Sequence, residues 1–355
     1  MKKLLTLAAA ILTVSSAFAQ NAQDAAAAAA QAIADAPKAE TPEAKPNYWT
    51  KSLLTNINFG QMSFNNWAAG GDNTVTLAAY IDANANYKKG VSWFNRDVKD
   101  MSWNNRLQLD YGFLYAASKP LLQKNTDRIY FESKWAYQIE NKFYFSANFD
   151  FKSQFATGYE YKTPSSEIIA KYDPSASSVE ALSKADQRNA WKDARVKKSD
   201  LMSPAYTNIA FGIDWKPAAW FTASLSPVTG GFVIVAADDQ ALRKTYSMKL
   251  KDDGTYKAAR FELGAQLKID SKFTVNDNFN YTTQLVLFSN YLKHPQNLRV
   301  NWDNRFDWKL AKYFTATIIT NLIYDDTVYS NDKRIGLQFK ESFALGFTYT
   351  FTAKK

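Results

Sequence analysis

FYFSANFDFKSQF, residues 143–155, sets Phe143, Phe145, Ala147, Phe149, Phe151, Ser153 and Phe155 on the odd positions, and Tyr144, Ser146, Asn148, Asp150, Lys152 and Gln154 on the even ones. Successive side chains of a β-strand point to opposite faces, so one face of this segment wants hydrocarbon and the other wants water. A strand with lipid outside and a polar lumen inside meets both demands.

The same alternation recurs along the chain. Ile129, Phe131, Trp135, Tyr137 and Ile139 oppose Glu132, Lys134 and Gln138, while Phe261, Leu263, Ala265, Leu267 and Ile269 oppose Glu262, Gln266 and Lys268. Leu298, Val300, Trp302, Phe306, Trp308 and Leu310 oppose Arg299, Asp303, Arg305, Asp307 and Lys309. The pattern predicts strands near 53–66, 74–87, 102–116, 127–139, 143–160, 205–215, 220–235, 259–269, 279–291, 298–310, 313–324 and 335–352. An even number of strands lets both chain ends lie on the same side of the membrane. The predicted fold is an all-β, transmembrane, antiparallel up-and-down barrel of about 12 strands over residues 49–355.

Connection lengths point the same way, because such barrels join strands by short periplasmic turns and longer external loops. Short turns fall at Glu140-Asn141-Lys142, Lys216-Pro217-Ala218-Ala219 and Leu310-Ala311-Lys312, and long connections at 162–203, 236–258 and 325–334. The exception is 88–101, a long segment where the alternation requires a turn. Strands leaving the turns begin with Phe143-Tyr144, Trp220-Phe221, Phe273, Phe279 and Tyr313-Phe314, which form a girdle at headgroup level.

Ahead of the barrel, MKKLLTLAAAILTVSSAFAQ carries Lys2 and Lys3, an apolar run and Ala17-Phe18-Ala19, the features of a secretory signal peptide cut after Ala19. Its apolar run is too short to span a bilayer as a helix. Residues 20–48, rich in Ala and Pro, read as a solvated periplasmic linker. Export and the even scatter of the +9 formal charge argue against a nucleic-acid partner. With no cysteine and one histidine, a disulfide framework is excluded and a transition-metal site or cofactor is not expected. The partners expected are outer-membrane lipid and a periplasmic or surface protein.

The last strand, ESFALGFTYTFTAKK, alternates Phe343, Leu345, Phe347, Tyr349 and Phe351 with small or polar residues. Gly346, Tyr349 and Phe351 resemble the glycine-x-x-aromatic-x-aromatic signal that barrel-assembly machinery recognises, although four residues follow Phe351. The segment FGQMSFNNWAAGGDN, residues 59–73, with Asn66-Trp67, Gly70-Gly71 and Asn73, resembles the first strand and loop of a Bacteroidota outer-membrane family classed as a domain of unknown function (DUF 3078-like). The resemblance spans residues 48–353 and implies an outer-membrane barrel without catalytic residues.

The inward positions hold Arg106, Asp110, Glu132, Lys134, Asp150, Lys152, Glu262, Lys268, Arg299, Asp303, Arg305 and Asp307. Both signs occur, which suits a selectivity lining for a polar solute or a lumen plugged by its own salt bridges. His294 falls in an external loop, and the nearest serine, Ser289, lies five positions away, so a barrel phospholipase's paired nucleophile and base is poorly supported. Asp238-Asp239 and Asp325-Asp326 lack the spaced third ligand of a calcium site. The 162–203 loop carries Lys184, Arg188, Trp191, Lys192, Arg195, Lys197 and Lys198, with a helix possible over 178–196, and fits a lid, a partner surface or a mobile excursion. A small-solute pore leads the functional readings. A non-conducting subunit or surface receptor stands beside it, and a barrel enzyme comes last.

Overall fold

The computed structural model describes residues 46–62, 73–92, 97–330, 333–334 and 336–353. The signal peptide, the linker up to Lys45 and the Asn66 to Gly71 stretch of the first loop lie outside the described residues.

In chain order the elements are β1 (Trp49–Met62), β2 (Thr74–Val91), β3 (Lys99–Ala116), β4 (Lys119–Glu140), β5 (Phe143–Ser153) and β6 (Gly158–Tyr161). Helix α1 (Ser166–Tyr172), a 3-10 turn (Val179–Ala181), helix α2 (Lys184–Ala194) and β7 (Arg195–Ser199) follow. Then come β8 (Ala205–Ala218), β9 (Phe221–Ile234), α3 (Gln240–Thr245), β10 (Ala259–Asn276), β11 (Phe279–Asn290), β12 (Leu298–Lys309) and β13 (Phe314–Tyr324). Two short strands, β14 (Tyr329–Ser330) and β15 (Lys333–Arg334), precede β16 (Gln338–Ala353).

Twelve strands close a single antiparallel barrel in the order β1-β16-β13-β12-β11-β10-β9-β8-β5-β4-β3-β2. Each strand pairs with its sequence neighbour within the barrel, and β16 returns to β1, with Leu53 opposite Phe351 and Asn58 opposite Gly346. Closure matters because an open sheet edge in hydrocarbon leaves backbone groups without partners. Gly346 is the residue the seam requires: a Cβ there would meet the Asn58 side chain and, at 2.8 Å, the Ile57 carbonyl oxygen.

The outer surface is apolar. Leu53, Ile57, Leu77, Ile81, Leu107, Phe149, Ile209, Phe211, Leu225, Phe261, Trp302 and Phe343 are all exposed. A soluble protein rarely leaves so many large apolar side chains in water, and a bilayer is the solvent that suits them. No described helix is long and apolar enough to cross a membrane, so the crossing is made by strands.

At the end with the short turns, aromatic rings form a belt. The Trp49, Tyr87, Trp103 and Trp135 positions are directly paired from strand to strand. Trp220 and Phe273 (ring centres 4.8 Å apart), Tyr281 and Phe306 (4.5 Å), and Tyr349 and Phe351 (4.4 Å) continue it. Phe273 differs from its expected place at the start of a strand. It sits near the end of β10, stacked on Tyr281 of the departing strand at 5.7 Å, and so lies at the same height.

Other boundaries move for identifiable reasons. The long 88–101 connection shortens because β2 and β3 keep pairing to Val91 and Lys99, with a Lys88 to Asp100 ion pair at 2.8 Å. Strand β4 begins at Lys119 rather than 127, because a bulge skips Asn125 opposite Gly112 and Phe113 and reverses the alternation above it. Strand β5 ends at Ser153 rather than 160, where the Asp127 carboxylate captures the Phe155 and Ala156 amides.

Candidate functional site

The strand registers place all twelve charged positions on the row opposite the exposed apolar side chains, facing the lumen. Most are held in ion pairs. Arg106 donates from Nε and Nη2 to Asp82, the latter at 2.6 Å, and Asp82 also accepts from Tyr80 Oη, Asn84 and Gln108. Lys134 pairs with Asp214 at 2.8 Å and donates to Ser224 Oγ. Arg305 grips Asp307 through both carboxylate oxygens, at 2.7 and 2.8 Å, and Thr317 donates to the same group. Arg299 pairs with Glu262 at 2.6 Å and Arg260 with its other oxygen at 3.2 Å.

Two contacts span the bore. Lys268 of β10 meets Glu132 of β4, although β9, β8 and β5 separate those strands along the wall, and Tyr130 Oη donates to the second Glu132 oxygen at 2.9 Å. Arg305 of β12 lies 4.9 Å from the centre of the Tyr80 ring of β2, with β13, β16 and β1 between. In a medium of low effective dielectric a charge is tolerated only when paired and hydrogen-bonded. The network meets that condition by joining strands that lie four places apart round the barrel.

Four predicted residues stand outside this pairing. Asp150 accepts from Asn208 at 3.0 Å, and Asp303 accepts from Asn301 and Asn321. Asp110 lies directly across from Arg128 in the register, and Lys152 across from Tyr130. Sequence reading passed over Asp82, Arg128, Asp214 and Arg260. Asp82 was accessible to it, since it alternates with Ile81 and Ala83 inside TVTLAAYIDANAN.

The loop end of the barrel carries folded connections. The 154–204 excursion is folded, with β6 paired to β7 and a buried cluster of Leu121, Ile169, Val179, Leu182, Ala190 and Trp191. Ser165 and Ser183 cap α1 and α2 by accepting the Ile168 and Asp186 amides. At its base Asp200 pairs with Lys197 at 2.9 Å and accepts from Thr157 Oγ1, and the Lys197 contact holds the Asp200 carboxyl below the usual carboxylate range.

A second segment, 236–258, packs Leu242 and Met248 against Val233 and Val235. Arg243 is buried there, donating to the Val235 and Tyr256 carbonyls, and burial pushes the Tyr246 hydroxyl up to about 12. Ser247 Oγ donates to the Thr327 carbonyl at 2.5 Å and Arg260 to Thr327 Oγ1 at 2.8 Å, tying this lid to the connection after β13.

The remaining candidates have structural partners. Ser289 Oγ donates to the Pro295 carbonyl at 2.6 Å rather than to an imidazole, and His294 occupies a turn at φ +54°. Asp239 caps α3, Asp238 pairs with Arg243, Asp325 receives the Thr327 amide and hydroxyl, and Asp326 receives Asn297.

Among curated proteins none matches the sequence. Solved structures similar to the chain include the translocator domain of autotransporter NalP from Neisseria meningitidis, at 9% identity and TM-score 0.35, covering 92% of this chain and 98% of that one. An outer membrane channel from Pseudomonas putida F1 is similar at 9% identity and TM-score 0.35, covering 89% of this chain and 100% of that one. Over residues 59–159, which run from the upper part of β1 into β6, the chain matches the family model described as "Protein of unknown function (DUF3078)".

Proposed function

We propose that the protein is a non-enzymatic outer-membrane barrel that conducts no solute and works through the folded cap at its loop end, as a subunit or surface receptor of an envelope assembly. The observation that carries this reading is the contact of Lys268 with Glu132 across the bore. Barrels of about eight strands are filled by their own side chains and those of sixteen or more enclose an aqueous channel, so in a lumen of twelve the inward side chains decide the free bore, and here they bond to one another across three intervening strands. The segment tied by Ser247 and Arg260 to Thr327 adds an ordered connection at the loop end of the barrel.

The cap supports the second half of the reading. A long connection with two capped helices and its own apolar cluster is costlier to keep ordered than a plain turn, and ordered loops of this kind are common sites of recognition. The Gly346, Tyr349 and Phe351 positions of the closing strand fit the assembly signal, with the two aromatic rings outward in the belt.

The test is solute flux into liposomes carrying the purified barrel. The reading expects glycine and arabinose to enter no faster than into empty liposomes. Entry graded by solute size would replace it with the pore.

A further inference from the structure

Arg128 and Lys152 depart from the pattern of every inward cation described above. Arg106, Lys134, Lys268, Arg299 and Arg305 each contact a carboxylate, at 2.8 Å or less where a distance is given. Arg128 and Lys152 sit diagonally on neighbouring strands, since Tyr130 pairs with Lys152 and the Arg128 position follows one step along the same inward row. The Arg128 guanidinium lies over the Tyr130 ring at 5.0 Å, and its Nε is buried without a hydrogen-bond partner. Lys152 feels Arg128, Asp303 and Asp150 electrostatically but forms no ion pair with them among the described residues.

The nearby carboxylates have other hydrogen-bond partners. Asp150 takes a hydrogen bond from Asn208, and Asp303 takes two from Asn301 and Asn321, and neither is ion-paired with the two cations among the described residues. Asp110, opposite Arg128, faces Lys340 and Arg305 as well. Two like charges side by side in a narrow lumen repel one another, and a buried guanidinium nitrogen without an acceptor costs free energy. A group bearing two negative charges and several acceptor oxygens would remove both costs at once.

We propose that Arg128 and Lys152 hold a phosphate group inside the barrel, the guanidinium engaging two of its oxygens and the ammonium a third. The site lies on the β4 and β5 wall, so it adds a ligand to the closed barrel without requiring flow through it.

The test is calorimetric titration of inorganic phosphate into the folded, detergent-solubilised full barrel in low-salt Tris buffer, with acetate titrated in parallel. Folding of each protein is checked by its heat-modifiable electrophoretic mobility. Wild type is expected to bind one phosphate, with Arg128→Gln and Lys152→Gln each weaker by about tenfold or more. Acetate is expected to bind more weakly than phosphate, because one charge leaves one cation uncompensated. Arg128→Lys, which keeps the charge and loses the fork, is expected to fall between wild type and Arg128→Gln and serves if the glutamine variant fails to assemble. No phosphate binding by folded wild type, binding unchanged in the variants, or acetate binding as tightly as phosphate would each overturn the proposal.

Discussion

The Lys268 ammonium of β10 and the Glu132 carboxylate of β4 meet inside the barrel although three strands of wall lie between their own. The pair is buried and has the Tyr130 hydroxyl as a third member. Because breaking such a pair strands a charge, Glu132→Ala should destabilise the barrel by about 3–5 kcal/mol. The double variant Glu132→Leu with Lys268→Met should recover most of that loss. Urea unfolding in detergent, followed by tryptophan fluorescence, measures both. A single variant as stable as wild type would mean that the pair is not formed.

The lipid-facing row gives a second test. Phe149→Arg should cost about 2–4 kcal/mol and reduce assembly, because it places a cation in hydrocarbon. Asp150→Asn keeps a polar group facing the lumen and should cost less than about 1.5 kcal/mol, the scale of one net hydrogen bond. Equal heat stability of the two variants would show that the faces are reversed.

Trp191 anchors the apolar cluster of the cap. Trp191→Ala should cost about 3–5 kcal/mol, the usual range for a buried tryptophan, and the loss should fall on the cap. Limited proteolysis should then cut within 162–203 while the barrel strands stay protected. Loss of the whole barrel would show that the cap is part of the barrel's folding unit.

Acid should loosen the cap's base. The Asp200 carboxyl is held low chiefly by Lys197, then by Thr157 and the Leu201 amide. A lowered folded-state pKa contributes stability that is present above the ordinary value of 3.8 and lost as pH falls through the folded one. Hydrogen exchange in 195–204, corrected for intrinsic rate, should therefore rise below about pH 3.8 in wild type. In Asp200→Asn it should already be raised at neutral pH. A flat wild-type profile would exclude this clamp.

The orientation is tested on cells. Epitopes inserted after Ser175 and after Asp252 should be labelled on intact bacteria, and one placed after Gln20 should not. Labelling of the N-terminal epitope with protection of the other two would invert the topology.

The strands were legible because their alternation repeats where two solvents press on one backbone, and residues 143–152 carry it without interruption. The exceptions occur where a local event breaks the period. The Asn125 bulge hid the first third of β4, and Ser271 and Lys272, polar in succession, hid the last part of β10. The charged lumen positions could be read from the same period, but their partners could not. Glu132 and Lys268 lie 136 residues apart, and only barrel closure brings them together. The cap's cluster was hidden for the same reason: Leu121 comes from the β3–β4 hairpin, while Trp191 comes from a short helix with a weak amphipathic pattern.

Single-channel recording in planar bilayers tests the closed lumen most directly. Wild type should give no unitary steps, whereas Glu132→Gly and Lys268→Gly combined with deletion of 240–256 should give them, because that variant removes both the strut and the lid. Stable unitary conductance from the wild-type protein would contradict the account.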